Sequence, residues 1–216
     1  MFITFEGIEG CGKSTQTELL RKHLEELGYA VLVTLEPGGS RLGVELRRML
    51  LSLDSSDLTR EAELFLYLAD RAQHVHQVIR PALKEGRVVI SDRFTHSTLA
   101  YQGYGREMGI DTLQRMNSVA VDGILPDLTF LLDLPPETGL RRALSRNMEK
   151  NITSSEGRFE AEALDFHTRV RQGYLELASR EQERIVVLDA EADSETVFEG
   201  VRKKVDQAMG VNQKRC

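Results

Sequence analysis

The residues that decide the fold are G-I-E-G-C-G-K-S at positions 7–14, which fit the pattern G-x-x-x-x-G-K-[ST] without a gap. A short, apolar, β-prone run at residues 1–5 precedes them, and residues 14–28 have the composition of a helix. A strand, a glycine-rich loop and a helix in this order are the setting in which the pattern binds phosphate. The stretch therefore predicts a P-loop.

This loop has the chemistry that a nucleoside triphosphate requires. Its glycines allow backbone angles that turn successive N–H groups inward, and the helix that follows adds partial positive charge. Lys13 supplies a cation for the β- and γ-phosphates, and the Ser14 hydroxyl is suited to Mg²⁺. The predicted ATP-binding residues are Gly7, Ile8, Glu9, Gly10, Cys11, Gly12, Lys13, Ser14 and Thr15.

Five nearly unbroken apolar runs predict a parallel sheet that is buried on both faces. They lie at 2–6, 30–34, 87–91, 128–133 and 185–189, and predicted helices lie at 14–28, 42–51, 59–84, 111–123, 136–148, 160–180 and 194–208. This rhythm predicts an α/β P-loop fold of three layers, with five parallel strands flanked by helices. No linker composition interrupts it, so we expect one domain at 1–210 and a disordered tail at 211–216.

The bulk composition excludes several classes of protein. A formal charge of −6 argues against a nucleic-acid platform. The two cysteines, Cys11 and Cys216, are too few for a disulfide framework or a zinc site. No leader pattern and no long apolar run is seen, so we expect no membrane contact and a cytoplasmic location.

Three further stretches bear on the substrate. Asp92 and Arg93 end a predicted buried strand, where a carboxylate suits Mg²⁺ or an attacking oxygen and a guanidinium suits a second phosphate. E-P-G-G at 36–39 follows another strand. Tyr67 and Arg71 share a helix face, where a ring and a planar cation could grip a base. Alternatively, these are a strand-end ion pair, a structural loop and a core tyrosine beside a surface arginine.

Several stretches together resemble the bacterial thymidylate kinase family. They are F-E-G-x-E-G-x-G-K-S at 5–14, E-P-G-G at 36–39, L-x-D-R-A-Q-H at 68–74, D-R-F with S-T-L-A-Y-Q-G within 92–103, and P-D-L-T-F-L-L-D-L at 126–134. The resemblance spans nearly the whole chain. It implies phosphorylation of dTMP to dTDP with Mg²⁺ and ATP. It also implies a homodimer, for which helices 59–80 and 111–123 are the candidate interface.

The resemblance also implies roles for individual residues. Arg47 and Arg93 would hold the dTMP phosphate, Tyr67 would stack on thymine, and Tyr101 would lie against the deoxyribose. Asp92 would act with Ser14 at the metal or would orient the nucleophile. The implied dTMP site is Glu9, Glu36, Pro37, Arg47, Tyr67, Arg71, Arg93, Ser97, Thr98, Tyr101 and Gln102, of which Arg71, Ser97, Thr98 and Gln102 would face the thymine edge.

The segment at 141–160, named the lid segment here, is basic in an acidic chain and is expected to be mobile. The P-loop contains no arginine, so the family resemblance implies a catalytic arginine from the lid segment. Arg158 matches best, with Arg142 and Arg146 as weaker candidates; a solvated basic helix end is the alternative. Residues 147–156 are longer than the usual lid turn. The predicted catalytic set is Lys13, Asp92, Arg93, Arg142, Arg146 and Arg158.

The sequence also bears on the reactivity of Cys11 and on competing functions. A thiol at a helix N-terminus tends toward a lowered pKa, so Cys11 is a hypothetical redox switch of ATP binding. Other small P-loop kinases, acting on a nucleoside or another monophosphate, remain alternatives. A GTP-binding switch is disfavoured because its guanine-reading Asn-Lys-x-Asp stretch is absent from the strand ends.

Overall fold

The computed structural model describes residues 1–211, without the side chains of residues 153 and 154. It contains one parallel sheet of five strands in the order β2-β3-β1-β4-β5. The strands are β1 (Phe2–Glu6), β2 (Val31–Leu35), β3 (Val88–Asp92), β4 (Leu128–Asp133) and β5 (Ile185–Asp189). The predicted α/β fold is confirmed, with β2 and β3 shifted by one residue. Cys216 and most of the predicted tail lie outside the described residues.

The register of the sheet brings the ends of its central strands together. β1 pairs with both β3 and β4, with Phe5 opposite Asp92 and Glu6 opposite Leu131. All these pairings are parallel, so the loops that follow the strands leave from one edge. Ligands bind at this carboxyl edge in open α/β sheets.

Ten helices are present in the described part of the chain. They are α1 (Lys13–Glu26), α2 (Arg41–Leu51), α3 (Arg60–His74), α4 (Arg80–Lys84), α5 (Thr95–Thr98), α6 (Ile110–Val121), α7 (Pro136–Glu149), α8 (Thr153–Glu156), α9 (Leu164–Arg180) and α10 (Ser194–Met209). None of them combines the length and apolar character needed to cross a bilayer.

The helices cover both faces of the sheet because successive β1 side chains point in opposite directions. Ile3 joins the core cluster that contains Leu24 of α1. Phe2 joins a second cluster with Ile79 and Val121. The apolar runs in the sequence are therefore strands buried from both sides, as predicted.

The predicted helix at 59–84 is interrupted. A π-helical turn, Val75–Ile79, separates α3 from α4. Pro81 has no N–H to donate to the carbonyl four residues before it, which accounts for irregular bonding just ahead of α4. The predicted helix at 160–180 begins only at Leu164, after a run of turns.

Four short elements have no counterpart in the predictions. A 3₁₀ turn lies at Leu53–Ser55, α5 continues into a π-helical turn at Leu99–Gly105, and α8 lies inside the lid segment. Gly105 makes room for α9, since a Cβ there would lie 2.6 Å from Cε2 of Phe166. The π-helical turn contains weak helix formers such as Gly103 and Gly105, and it forms because α9 packs against it.

A substitution at Leu24 tests how much the contact between α1 and the sheet contributes to the stability of the fold. Leu24→Ala removes a fully buried side chain and is expected to lower the free energy of unfolding by about 2–5 kcal/mol. Met148→Ala, at a 69% exposed position, is the control and should change it by less than about 0.5 kcal/mol. Urea denaturation followed by circular dichroism measures both. Equal losses would contradict this account of the core.

Candidate active site

A cleft of 590 Å³ opens at the carboxyl edge of the sheet. Its volume lies within the range usual for small-molecule sites. It brings together most of the residues predicted from the sequence: Glu9, Gly10, Gly12, Lys13, Ser14, Thr15, Glu36, Pro37, Arg47, Tyr67, Arg71, Asp92, Arg93, Ser97, Thr98, Tyr101, Gln102, Arg142 and Arg146. The lining does not include Gly7, Ile8, Cys11 or Arg158.

The P-loop at one end of the cleft needs its glycines. Gly7 has φ +137°, and a Cβ there would lie 2.6 Å from the Leu132 carbonyl oxygen. Gly12, also at positive φ, caps α1, so the unpaired N–H groups of the first helical turn follow directly from the loop. Nζ of Lys13 donates to the carbonyl oxygens of Gly7 (3.1 Å) and Ile8 (2.9 Å). The loop thus gathers N–H groups and one ammonium at a single point.

Ser14 and Asp92 place two oxygen ligands beside the P-loop. The Ser14 hydroxyl donates to Oδ2 of Asp92 over 3.0 Å. Among residues 1–211 no group of three His, Cys, Asp or Glu side chains could hold a metal alone. Mg²⁺ is commonly bound by one or two protein oxygens together with water and phosphate, and this pair fits that requirement.

Arg93 connects the end of β3 to the P-loop. It is a non-glycine residue with φ +74°, a strained conformation that clusters at functional sites. Its guanidinium donates to the Gly7 carbonyl (3.1 Å), Oε1 of Glu9 (3.0 Å) and the Tyr101 hydroxyl (3.0 Å). It also lies 4.8 Å from the centre of the Tyr101 ring. Arg93 is therefore held from several sides in the middle of the cleft.

His167 of α9 stands behind this network and was not found from the sequence. Its Nδ1 lies 3.4 Å from Oε2 of Glu9, and its Nε2 lies 3.0 Å from the Phe159 carbonyl. Burial works to raise the pKa of Glu9, but His167, Arg93 and Lys13 outweigh it and hold that pKa well below its usual range. Glu9 is an anion in contact with cations. A lone histidine in a helix carries no sequence motif that could have signalled this.

A buried charge cluster forms the wall below the turn that follows β2. Glu36 accepts from Nε of Arg71 (2.8 Å) and Nδ1 of His74 (2.8 Å). Arg71 is 1% exposed and also donates to Oγ1 of Thr98 (2.7 Å) and the Phe94 carbonyl (2.8 Å). His74 is fully buried, so it is a packing residue. These contacts fix α3 and α5 relative to β2.

Aromatic rings cluster at one end of the cleft, where Tyr101 also contacts Glu9 and Arg93. Phe159 lies edge-on to Tyr101 at 5.4 Å and tilted to Tyr67 at 6.4 Å. Gln102 donates from Nε2 to Oε1 of the buried Glu63 over 2.8 Å, which leaves its amide oxygen available. Phe159 was missed, although it directly follows Arg158 in the stretch G-R-F-E. This end offers flat apolar surface with fixed polar edges.

The three lid-segment arginines occupy different positions. Nη1 of Arg142 donates to the Ala190 carbonyl over 3.1 Å, and Arg146 is 45% exposed at the cleft. Arg158 is 5% exposed, with Nη2 2.7 Å from Oε2 of Glu63. The structure does not bring Arg158 to the cleft; it lies in a buried charge cluster in which Glu63 contacts both Arg158 and Arg106. The catalytic role of Arg158 stays a prediction.

A glycine-rich phosphate loop, an adjacent strand-end Asp-Arg pair and this strand order define a P-loop phosphotransferase. The thymidylate kinase family model matches residues 5–201. The chain is 58% identical to the thymidylate kinase of Maridesulfovibrio salexigens, covering 95% of this chain and 94% of the relative, and 59% identical to that of Oleidesulfovibrio alaskensis, covering 95% and 97%.

The crystal structure of thymidylate kinase from Ehrlichia chaffeensis superposes with a TM-score of 0.75 at 33% identity, covering 95% of this chain and 98% of that one. Sequence and fold thus agree. The chain belongs to the thymidylate kinase family, the kinases that phosphorylate dTMP.

The environment of Cys11 differs from the one predicted from the sequence. Its side chain is 3% exposed, and burial raises the pKa of the thiol above its ordinary value although Lys13 and Arg93 oppose the shift. The hypothesis of a lowered pKa is wrong, because the Cys11 thiol lies beneath the loop rather than at its anion-binding surface. This environment favours an inert thiol.

Alkylation tests the environment of Cys11. Iodoacetamide at neutral pH is expected to leave Cys11 unmodified in the folded protein, since the thiol is buried and protonated, and to modify it in urea. Peptide mass spectrometry distinguishes Cys11 from Cys216. Rapid modification of Cys11 in the folded protein would restore the hypothesis of a reactive thiol.

Proposed function

We propose that this protein transfers the γ-phosphoryl group of Mg²⁺-ATP to dTMP and so forms dTDP. The supporting observation is that one cleft is lined by Lys13 of the P-loop and by two arginines outside it, Arg47 and Arg93. Arg93 also donates to the Gly7 carbonyl and to Glu9, so it lies beside the P-loop. Phosphoryl transfer depends mainly on holding two reactants in line and neutralising charge on the moving group.

The P-loop end of the cleft is suited to ATP. The loop N–H groups and Lys13 would hold the β- and γ-phosphates, and Ser14 and Asp92 would hold Mg²⁺, partly through water. Bound Mg²⁺ supplies positive charge that stabilises the transferring phosphoryl group. Asp92 would also orient the attacking phosphate oxygen. Arg142 donates to the Ala190 carbonyl just after β5, and we expect the adenine ring to bind on this side of the cleft.

The rest of the cleft is suited to dTMP. Arg47 and Arg93 are bidentate donors for the monophosphate. Thr98 accepts from Arg71, so its own hydroxyl hydrogen remains for a thymine carbonyl, while the free amide oxygen of Gln102 suits the ring N–H. Burial raises the pKa of Tyr101, so it presents a neutral hydroxyl beside the sugar.

The charge missing from the P-loop is proposed to come from Arg146. Arg142 donates to a backbone carbonyl, and Arg158 is 5% exposed and ion-paired with Glu63, whereas Arg146 is 45% exposed and contacts Asn147 and Glu160. Breaking a buried ion pair costs several kcal/mol, so recruiting Arg158 is the more expensive route.

A homodimer is proposed on the exposed apolar residues of α3 and α6. Phe65 is 58% exposed and Val119 is 81% exposed. The two helices pack against each other, so they offer one continuous surface. Covering such apolar residues is favourable in proportion to the area buried.

The activity is tested in a coupled assay with Mg²⁺ and ATP, offering dTMP, dUMP, dCMP and thymidine separately. We expect turnover with dTMP far above the others. Lys13→Ala should lower kcat by about 10²–10³-fold, because a cation at the transferring phosphoryl is lost. Efficient turnover of another acceptor with none of dTMP would favour the alternative, a kinase for a different nucleoside or monophosphate.

The lid arginines are separated by comparing two variants. Arg146→Ala is expected to lower kcat about 10²–10³-fold with little change in the KM for dTMP. Arg158→Ala is expected to lower the free energy of unfolding by about 1–2 kcal/mol, because Glu63 loses one buried partner and keeps Arg106. Steady-state kinetics and urea denaturation of both variants measure kcat, the KM for dTMP and the free energy of unfolding, and so distinguish the two roles. A stable Arg158→Ala enzyme without activity would return the catalytic role to Arg158.

A further inference from the structure

Arg47 already has a bidentate anionic partner within its own chain. Its Nε donates to Oε1 of Glu156 over 2.9 Å, and its Nη2 donates to Oε2 over 3.0 Å. Its Nη1 donates to the Pro37 carbonyl over 3.0 Å. Both residues line the cleft. The Glu156 carboxylate therefore occupies the parallel N–H donors of Arg47, which the proposed function assigns to the dTMP phosphate.

The Arg47–Glu156 ion pair is more exposed to water than the Arg71–Glu36 pair of the same cleft. The side chains of Arg47 and Glu156 are 28% and 33% exposed, whereas those of Arg71 and Glu36 are both 2% exposed. Water reaches the Arg47–Glu156 pair and screens it, so separating the two charges costs little. Arg93, by contrast, is fixed by Glu9, Tyr101 and the P-loop.

Carboxylate and phosphate groups compete for the same guanidinium because both offer two oxygens to its parallel N–H groups. The bond to Arg47 lowers the pKa of Glu156, which keeps Glu156 an anion at neutral pH. A dianionic phosphate carries more charge than a carboxylate. An incoming phosphate can therefore displace Glu156.

We propose that Glu156 is an intramolecular competitor for the acceptor phosphate, which must displace it from Arg47 before the acceptor is fully bound. The inference rests on the proposed function. Glu156 is the last residue of α8, and its backbone N–H bonds to the Ile152 carbonyl over 2.9 Å. Displacement thus removes the two bonds that join the last residue of α8 to Arg47 of α2, and this is the route by which arrival of the phosphate reaches the lid segment. A ligand without phosphate leaves the pair intact.

Calorimetric binding of dTMP and of thymidine to the full-length protein tests this. Glu156→Gln keeps the shape of the side chain and removes its charge. It is expected to tighten dTMP about three- to fivefold, in line with a partly exposed ion pair, and to leave thymidine binding unchanged. Glu149→Gln, an exposed glutamate in the same lid segment, is the matched control and should change neither ligand.

A double variant, Arg47→Gln with Glu156→Gln, gives the second measurement. If Glu156 acts through Arg47, removing its charge has no effect on dTMP binding when Arg47 is absent. Unchanged or weaker dTMP binding by Glu156→Gln, or equal tightening of thymidine, would overturn the inference while the proposed function stands. Wild-type protein that binds no dTMP would overturn both, and circular dichroism of each variant verifies folding.

Discussion

Parallel pairing of β1 with β3 is the constraint on which the rest of the site depends. It sets Phe5 opposite Asp92, so the P-loop and the Asp-Arg pair leave adjacent strands at the same level. The hydroxyl of Ser14 then reaches Asp92, and the guanidinium of Arg93 reaches the Gly7 carbonyl and Glu9. These partners are separated in sequence by 78 to 86 residues. A sheet with another strand order would have put them at different places along its edge.

Buried charge, rather than apolar packing alone, shapes the walls of the cleft. Glu36 with Arg71 and Glu63 with Arg158 are ion pairs almost without solvent exposure. Such pairs gain little net stability, because desolvation offsets their attraction, but removing one partner is strongly destabilising. Their effect is to hold α3 in one position relative to β2 and to the lid segment. Arg71, which lines the cleft, is consequently held by a buried partner, whereas the more exposed Arg47 is free to exchange its partner.

Local patterns sufficed for the sheet, the P-loop and the Asp-Arg pair after β3, and the family resemblance supplied much of the remaining cleft lining, including Arg47, Thr98 and Gln102. Apolar runs identify strands buried on both faces, and glycine spacing identifies a loop that binds phosphate. What local patterns did not predict depends on contacts between distant segments: the π-helical turn after α5 forms against α9, His167 contacts Glu9, and Arg158 pairs with Glu63. Arg47 and Glu156 lie 109 residues apart. No spacing rule in the chain encodes such a pair.

The long stretch within the lid segment is pinned at both ends. Asn147 is fully buried and donates to Oε1 of Glu160 over 3.0 Å, and the backbone N–H of Arg158 donates to the Leu51 carbonyl over 3.1 Å. Inserting residues between Asn147 and Arg158 lengthens the loop between them. The entropic cost of closing such a loop grows only with the logarithm of its length, by about 0.6 kcal/mol each time the length doubles. The architecture therefore tolerates changes in length here without moving the phosphate loop, and this stretch is a natural place to graft a reporter peptide.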